Sequence, residues 1–338
     1  MRNARVFLGT AMLCLAAGLG AGTASAEVAE ITYARQQGLS YLPLILIEHY
    51  HLIEKHAKAL GLADVKSRLV SFPQTTAITD AMLAGQLHFA TQGTPSLLTL
   101  WDKTLGTNRE IRGVCAVTSS PEFLNTRNPN VKTLKDFTDS DKIGIPGAKA
   151  SIQAVVLQIA SEQAFGAGNE HKLDRLTVTM SHPDAFAAMM SGHSEVNSHF
   201  TNPPFQYLEL ENPAIHRVLN SFDVLGGPHS VIHVWTTVKF RNENPKAYAA
   251  FRGALMEAFD IIHKDKKAAA QAYLEVSKEK TTVDAIVKLL NDPLQDYGCT
   301  PKKVMKFAEF MHRTGGIKHL PASWKDLYFP EAHDLQGN

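Results

Sequence analysis

The stretch AMLAGQLHFATQGTP (residues 81–95) is echoed later in the chain by AMMSGHSEVNSHFTNP (residues 188–203). Each begins with an apolar helical segment that ends at a glycine, Gly85 or Gly192, because glycine readily adopts the left-handed conformation that follows many helices. A strand and a polar loop ending in proline come next in both, and proline is favoured at the first positions of a helix. The repeat predicts two similarly built lobes that present equivalent loops.

Short strands alternate with helices on both sides of these stretches, which is the pattern of an α/β fold. We predict strands at residues 30–36, 66–72, 87–91, 112–118, 142–146, 176–181, 195–200 and 229–238, with a short one near 294–297. Predicted helices include residues 75–84, 151–165 and 183–191. The end of the chain is predicted to be mostly helical, since Phe251, Leu255 and Phe259 share one helical face.

The first 26 residues have the features of an export signal. Two arginines precede an apolar run at residues 6–17, and residues 24–26 (Ala-Ser-Ala) supply the small side chains that a signal peptidase requires. The run is too short for a permanent transmembrane anchor. We therefore expect cleavage after Ala26 and a periplasmic mature protein that begins at Glu27.

The length of the chain indicates its domain organisation, and its net charge indicates which binding partners it lacks. A chain of 338 residues is longer than one hydrophobic core usually serves, so two lobes are expected. The formal net charge is +1, which gives no electrostatic case for binding nucleic acid or an anionic membrane surface.

Two cysteines, Cys115 and Cys299, remain after the expected processing. A disulfide is permitted in an oxidising compartment, but their positions in the sequence do not show that they meet. Two free, buried thiols are the slightly preferred interpretation.

Candidate binding residues lie in the loops after the predicted strands, because ligands of parallel α/β sheets bind beyond the carboxyl ends of the strands. These loops carry hydroxyls, amides, glycines and aromatic side chains, with one cation and no carboxylate. Glycines let backbone approach a ligand, and free N–H groups at helix starts favour anions. The candidate ligand-binding residues are Gln37, Ser40, Tyr41, Gly93, Thr94, Lys149, Ser151, His199, Thr201 and Asn202.

Each candidate also has an ordinary structural interpretation. Ser40, Thr94 and Ser151 are residue types that cap helices, Lys149 fits a solvated surface position equally well, and Tyr41 fits a hydrophobic core. The histidines are scattered without metal-ligand spacing, so we predict no metal site and no cofactor. Nucleophile-elbow and phosphate-loop motifs are absent, so we predict no catalytic residues and no enzyme activity.

Four segments, in their order and spacing, resemble the nitrate/taurine/sulfonate group of ABC-importer binding proteins, which shares its fold with thiamine-pyrimidine precursor binding proteins. The segments are QGLSYLP (37–43), AGQLHFA (84–90) with Gly93 and Pro95, KIGIP (142–146) leading to Ser151, and FRNENP (240–245).

This resemblance implies an α/β, two-lobed periplasmic-binding-protein fold of type II with the ligand in the cleft between the lobes. Lobe 1 is expected to comprise residues 27–119 and 229–338, and lobe 2 residues 120–228. The two passages of the chain between the lobes are expected near 119–123 and 224–230.

The implied function is capture of a small-molecule ligand for an inner-membrane ABC permease and its ATPase, by a protein that we expect to be a monomer. Lys149 beside a helix start predicts a small organic anion, sulfonate- or taurine-like or nitrate-like. Tyr41 and Phe200 keep a pyrimidine or another flat heterocycle open as the ligand, because aromatic faces would stack on it. Two further alternatives are a synthase-like enzyme on the same fold, whose CCCxC run is missing here, and a sensory protein that presents its lobes to a membrane receptor.

Overall fold

A computed structural model describes residues 27–338, so the predicted export signal lies outside the described residues. The strands are β1 Glu30–Arg35, β2 Lys66–Ser71, β3 Ala90–Gly93, β4 Ile111–Ser119, β5 Phe123–Thr126, β6 Ile143–Ile145, β7 Thr177–Thr179, β8 Ser198–Thr201, β9 His216–Asn220, β10 Ser230–Thr237 and β11 Asp296–Tyr297.

The helices pack on both sides of these strands, and none in the described part of the chain is long and apolar enough to cross a membrane. They are α1 Leu42–His49, α2 Leu52–Ala59, α3 Thr75–Leu83, α4 Thr94–Thr104, α5 Ile152–Phe165, α6 His182–Ser191, α7 Phe205–Leu210, α8 Ser221–Leu225, α9 Val238–Glu243, α10 Pro245–Lys264, α11 Lys266–Ser277, α12 Val283–Leu290 and α13 Val304–Arg313. The α/β architecture predicted from the alternation is confirmed.

The sheet of lobe 1 is mixed. β1 and β2 are parallel, and β1 joins the sheet β11-β4-β10-β3 through one bridge between Tyr33 and Phe89. β10 runs antiparallel to both β3 and β4. Phe89 stacks on Phe251 of α10 with ring centroids 3.7 Å apart, and Tyr33 meets the Phe251 ring edge-on at 5.7 Å. The predicted apolar face of α10 therefore completes this core.

The sheet of lobe 2 has the order β7-β6-β8-β5-β9. β6 is parallel to β7 and β8, whereas β5 is antiparallel to β8 and β9. Gly144 in β6 lets α6 pack closely, because a Cβ at this position would lie 3.0 Å from the Cβ of Ala185. The two copies of the sequence repeat occupy equivalent positions in the two sheets. β3 pairs with β10 and β8 pairs with β5, and both β10 and β5 follow a passage between the lobes.

The repeated glycines end their helices as predicted. Gly85 follows α3 with φ +74° and Gly192 follows α6 with φ +76°. The strands after them start later than predicted, at Ala90 and Ser198. Before β8, the N–H of Val196 bonds to the Ser194 hydroxyl (3.1 Å) instead of a neighbouring strand, so the chain is still turning there.

The chain passes between the lobes at residues 120–122 and again at 226–229. Ser221 Oγ accepts the N–H of Glu122 (2.9 Å) in the first passage and hydrogen-bonds to Nε2 of His229 (2.9 Å) in the second. One hydroxyl therefore holds the two passages side by side.

The preference for two free thiols is wrong. Cys115 in β4 and Cys299, just after β11, form a disulfide with their Cα atoms 4.6 Å apart. The backbone brings them together, because the N–H of Ala116 bonds to the carbonyl of Cys299 (3.3 Å). The sequence could not show this contact because the two residues are 184 positions apart.

We expect a thiol-specific reagent to find no free thiol in the unreduced, unfolded mature protein. Reduction should lower the free energy of unfolding by about 5 kcal/mol in the chain-entropy limit, since the bond closes a loop of 184 residues. Denaturant titration with and without reductant measures this. Labelling of both Cys115 and Cys299 before reduction would contradict the disulfide.

Two fully buried histidines, His229 and His233, are held neutral by the fold. Burial lowers the pKa of His229 to about 4. Burial, with a smaller contribution from His229, lowers the pKa of His233 to about 3. Both ring nitrogens of His233 are hydrogen-bonded: Nε2 to Thr94 Oγ1 (2.8 Å) and Nδ1 to the Tyr328 hydroxyl (2.5 Å).

These histidines should make the fold less stable in acid. Between pH 6.5 and about 4 these two histidines are protonated in the unfolded chain but stay neutral in the folded chain. The free energy of unfolding therefore falls as pH falls. Each histidine adds a slope of up to about 1.4 kcal/mol per pH unit. Denaturant titration at several pH values should show a smaller slope for His229→Gln than for the wild type. Equal slopes would exclude this contribution.

Candidate functional site

A small cavity lies between the two lobes, where the loops after β1, β2 and β3 of lobe 1 meet the loops after β6, β7 and β8 of lobe 2 and the passage after β4. Both lobes contribute to its wall. It is lined by Gln36, Tyr41, Thr75, Gly93, Glu122, Pro146, Ser151, Ile152, Gln153, His182, Asn202 and Ile232.

The lobes are closed around this cavity. The N–H of Leu39 in lobe 1 donates to the carbonyl of Pro203 in lobe 2 (2.8 Å). At the periphery, the guanidinium of Arg313 makes two hydrogen bonds of 2.7 Å to the carboxylate of Glu162. These contacts join α13 to α5 and the β1 loop to the β8 loop, so the two lobes touch on either side of the cavity.

Helices of both lobes begin at the cavity wall. The lining residues Thr75, Gly93, Ser151 and His182 lie at the starts of α3, α4, α5 and α6. The first N–H groups of a helix have no acceptor within the helix and carry its positive dipole end. The backbone therefore gives the cavity wall a positive electrostatic potential.

Three side chains of the lining carry a buried polar atom that has no hydrogen-bond partner among residues 27–338. These atoms are Nε2 of Gln36, Oε2 of Glu122 and Oδ1 of Asn202, and the side chains are 5%, 0% and 2% exposed. Gln36 is held in place because its Oε1 accepts the hydroxyl of Tyr41 (3.1 Å). An unpaired buried polar group costs about 1–3 kcal/mol, so three of them around one cavity make it the candidate binding site.

Glu122 is the carboxyl group of this cavity. Its Oε1 accepts a hydrogen bond from Nε2 of Gln153 (2.8 Å), and burial raises the pKa of Glu122 well above its usual range. The expected absence of carboxylate from the lining is therefore wrong. Glu122 lies in the passage between the lobes, just beyond the loop that the strand pattern identified.

A hydrogen-bonded chain of buried side chains ends at His182 of the lining. His199 Nδ1 lies 2.6 Å from Oε1 of Glu209, and His199 Nε2 lies 3.0 Å from Nδ1 of His182. If Glu209 accepts at Nδ1–H of His199, then His182 donates from Nδ1 and keeps Nε2 as an acceptor. Burial, and secondarily His199, lower the pKa of His182 well below its usual value. His199 thus positions His182.

Some of the sequence-predicted residues meet in the cavity lining. Gln37 is half-buried and lines a neighbouring inter-lobe cavity of about 420 Å³. The predicted residues that line the central cavity are Tyr41, Gly93, Ser151 and Asn202.

Other predicted residues are buried beside the cavity and bond to protein groups. Ser40 accepts the Thr118 hydroxyl at its carbonyl (2.6 Å), and Thr94 Oγ1 donates to the carbonyl of Ser230 (3.0 Å). Thr201 Oγ1 lies 3.1 Å from Nδ1 of His182, within the chain that contains His199. The capping role that the sequence offered for Ser40 and Thr94 is wrong, because neither side chain caps a helix; the N-cap of α4 is Gly93, without a side-chain bond.

Lys149 lies outside the cavity lining and its side chain is exposed. A second cation, Arg35, is buried at the end of β1 and lines the neighbouring inter-lobe cavity. The NH1 of Arg35 donates to the carbonyl of Gln36 (3.0 Å), and its Nε has no partner in the described part of the chain. Burial lowers the pKa of Arg35. Arg35 was missed because it belongs to the strand and not to the following loop.

Several lining residues have a local signal in the sequence. Thr75, Gln153 and His182 lie in or next to the first turn of helices whose starts are predictable. Extending the candidate set by one turn beyond each strand–helix loop would have included them.

Ser151 combines two roles that the sequence left as alternatives. Its Oγ accepts the N–H of Ala154 (3.2 Å), which caps α5, and donates to the carbonyl of Gly147 (2.8 Å). The same residue lines the cavity. The cap fixes the start of α5 against the cavity.

The architecture is that of the periplasmic binding proteins, in which two α/β lobes enclose a cleft. No protein-family model matches the sequence, and no curated protein is significantly similar to it.

Solved structures show the same fold at low sequence identity. The alkanesulfonate-binding protein SsuA from Xanthomonas axonopodis pv. citri, bound to MOPS, is 16% identical with a TM-score of 0.67, over 91% of this chain and 99% of that one. The nitrate-binding protein NrtA from Synechocystis PCC 6803 is 15% identical with a TM-score of 0.68, over 91% and 86%. A Candida albicans gene product with the generic periplasmic binding protein fold is 10% identical with a TM-score of 0.65, over 89% and 96%. The fold that the resemblance implied is confirmed.

Closure of the lobes can be tested at Gly38. This residue has φ +115°, and a Cβ there would lie 2.6 Å from Oδ1 of Asn202 in the other lobe. Gly166 has a similar backbone (φ +93°) but open space around it. Gly38→Ala and Gly166→Ala should both lose stability through backbone strain, by about 1 kcal/mol or more.

Only Gly38→Ala should also open the cleft, because its methyl group separates the lobes. Small-angle scattering should give a larger radius of gyration for Gly38→Ala than for Gly166→Ala, measured on folded protein. The same radius for both variants would show that contact between Gly38 and Asn202 does not limit closure.

Proposed function

We propose that this chain is the periplasmic substrate-binding component of an ABC importer. The observation that carries the proposal is the closed inter-lobe cavity in which polar atoms of Gln36, Glu122 and Asn202 are buried without partners. A ligand held between the lobes would supply those partners. The fold shared with sulfonate- and nitrate-binding proteins supports the same role.

The ligand that we propose is a small organic anion, sulfonate- or taurine-like or nitrate-like. The helix starts around the cavity and the free Nε2 of Gln36 are donors that suit anionic oxygens. Arg35, at the neighbouring cavity, adds a buried positive charge between the lobes. These groups replace Lys149 as the physical basis for an anion.

The partners in this proposal are an inner-membrane permease and its ATPase, and the protein acts in the periplasm as a monomer without catalysing a reaction. A sensory protein would close its lobes in the same way. Stimulation of the ATPase of a reconstituted transporter by the liganded protein distinguishes transport from sensing.

Two observations support a neutral aminopyrimidine as the alternative ligand. Tyr41 places an aromatic side chain in the lining, and the carboxyl of Glu122 can pair with an amino-substituted ring. If the chain were instead a synthase-like enzyme, bound ligand would be consumed in proportion to protein concentration. We expect no product.

A panel of sulfonates, oxyanions, carboxylates and pyrimidines should include an anion that raises the melting temperature as its concentration rises. Gln36→Ala should weaken binding of that anion about tenfold, equivalent to about 1.4 kcal/mol, because a donor is lost. Lys149→Ala serves as the matched control and should bind as wild type, since its side chain is exposed.

Calorimetry measures both affinities. The result that would contradict an anionic ligand is a neutral pyrimidine as the best binder. Tenfold weaker binding by Lys149→Ala would restore Lys149 to the site.

A further inference from the structure

We propose that the disulfide between Cys115 and Cys299 anchors a strap across the hinge, so that closure of the two lobes depends on the redox state of these cysteines. The hinge consists of the two passages between the lobes. The strap is residues 296–313, which comprise β11, the loop after it and α13. It follows β4 and β10 in lobe 1, yet it contacts the ends of both passages and lobe 2 itself. The inference concerns movement of the lobes and is independent of the ligand.

The start of the strap is attached to β4 immediately before the first passage. β11 pairs with Thr118 and Ser119, the last two residues of β4, and the N–H of Gly298 donates to the carbonyl of Val117 (3.2 Å). β11 is two residues long and lies at the edge of its sheet, so few backbone hydrogen bonds hold it. The disulfide of Cys299 is the covalent part of this attachment.

The middle of the strap holds the second passage. The N–H of Lys302 donates to the hydroxyl of Ser230 (2.9 Å), and the carbonyl of Lys302 accepts the N–H of Ser230 (3.0 Å). The ring of Phe307 in α13 meets the ring of His229 edge-on, with centroids 5.8 Å apart. Because the His229 ring also bonds to the Ser221 hydroxyl, the strap supports the network that joins the two passages.

The end of the strap contacts lobe 2 directly. Nζ of Lys306 donates to the carbonyl of Leu225 at the end of α8 (3.0 Å). One helical turn or more further along α13, Arg313 forms its ion pair with Glu162 of α5. The strap therefore connects the two lobes a third time, through side chains.

The strap also positions a contact beside the cavity. The hydroxyl of Tyr297 donates to the carbonyl of Leu39 (2.9 Å), and the N–H of Leu39 donates to the carbonyl of Pro203 in lobe 2 (2.8 Å). Tyr297 is buried and belongs to β11, which the disulfide of Cys299 fixes. Loosening of the strap would therefore weaken the hinge and the closed cleft together.

The disulfide is accessible to reduction from one side. Cys115 is fully buried, whereas Cys299 is half-buried, so a dithiol reaches the bond at Cys299. Attack on Sγ of Cys299 displaces the Cys115 thiolate, and the second thiol of the reagent then releases Cys299. Two electrons and two protons pass from the dithiol to the two cysteines, and the reagent leaves as a disulfide. The strap then keeps only its hydrogen bonds and packing.

Reduction is tested on the ligand-free mature protein before and after treatment with dithiothreitol. Small-angle scattering of folded protein should give a larger radius of gyration after reduction, because the hinge is less constrained and the lobes separate. Phe251→Leu is the control, since it weakens the lobe 1 core, where Phe251 stacks on Phe89, and leaves the strap intact. It should lose stability without a change in the radius.

Lys306→Met tests the strap with the disulfide in place. It removes the hydrogen bond to the carbonyl of Leu225 and keeps an unbranched side chain. In the oxidised protein it should enlarge the radius of gyration and raise amide hydrogen exchange about threefold or more at Glu122 and Ser221, with exchange in α10 unchanged. In the reduced protein the same substitution should add nothing, because the strap is already detached and the two changes are coupled.

Four results would overturn the proposal. The first is a radius of gyration that is unchanged by reduction or by Lys306→Met. The second is an equal enlargement by Lys306→Met in oxidised and reduced protein, since the disulfide would then not act through the strap. The third is a larger radius for Phe251→Leu, which would assign the effect to general loss of stability. The fourth is a reduced protein that does not fold. No ligand is used, so these results leave the proposed function to its own test.

Discussion

The hydroxyl of Ser221 is the point at which the two lobes are joined. It accepts the N–H of Glu122 and hydrogen-bonds to the ring of His229, so each passage between the lobes is tied to the other at 2.9 Å. Nδ1 of His229 donates to the carbonyl of Ser230, which favours the neutral tautomer protonated at Nδ1. The relative position of the lobes, and hence the shape of the cavity, depends on this small buried network.

The cavity differs from an ordinary protein interior because several of its buried polar atoms have no hydrogen-bond partner among the described residues. Buried polar groups in folded proteins almost always have partners, and networks that lack one partner are costly in a low dielectric. The unpaired atoms of Gln36, Glu122 and Asn202 all border one space between the lobes. Their cost is tolerable in a protein whose closed state is completed by a ligand, because binding then returns the missing hydrogen bonds.

Local sequence patterns were sufficient for most elements of the fold. Apolar spacing located α5 and α10, and the repeated glycines Gly85 and Gly192 located the ends of α3 and α6. Strand–helix loops led to part of the cavity lining, including Tyr41 and Ser151. These predictions succeed because helix ends, strand alternation and capping depend on residues a few positions apart.

The sequence by itself determined the alternation of strands and helices, the two similar lobes and the edge of the sheets at which the cavity lies. Only the tertiary structure decided that Lys149 faces solvent, that Glu122 lies inside, and that Cys115 meets Cys299. The reason is physical: burial and pairing of these side chains arise from contacts between segments far apart in the chain, and local periodicity carries no information about such contacts.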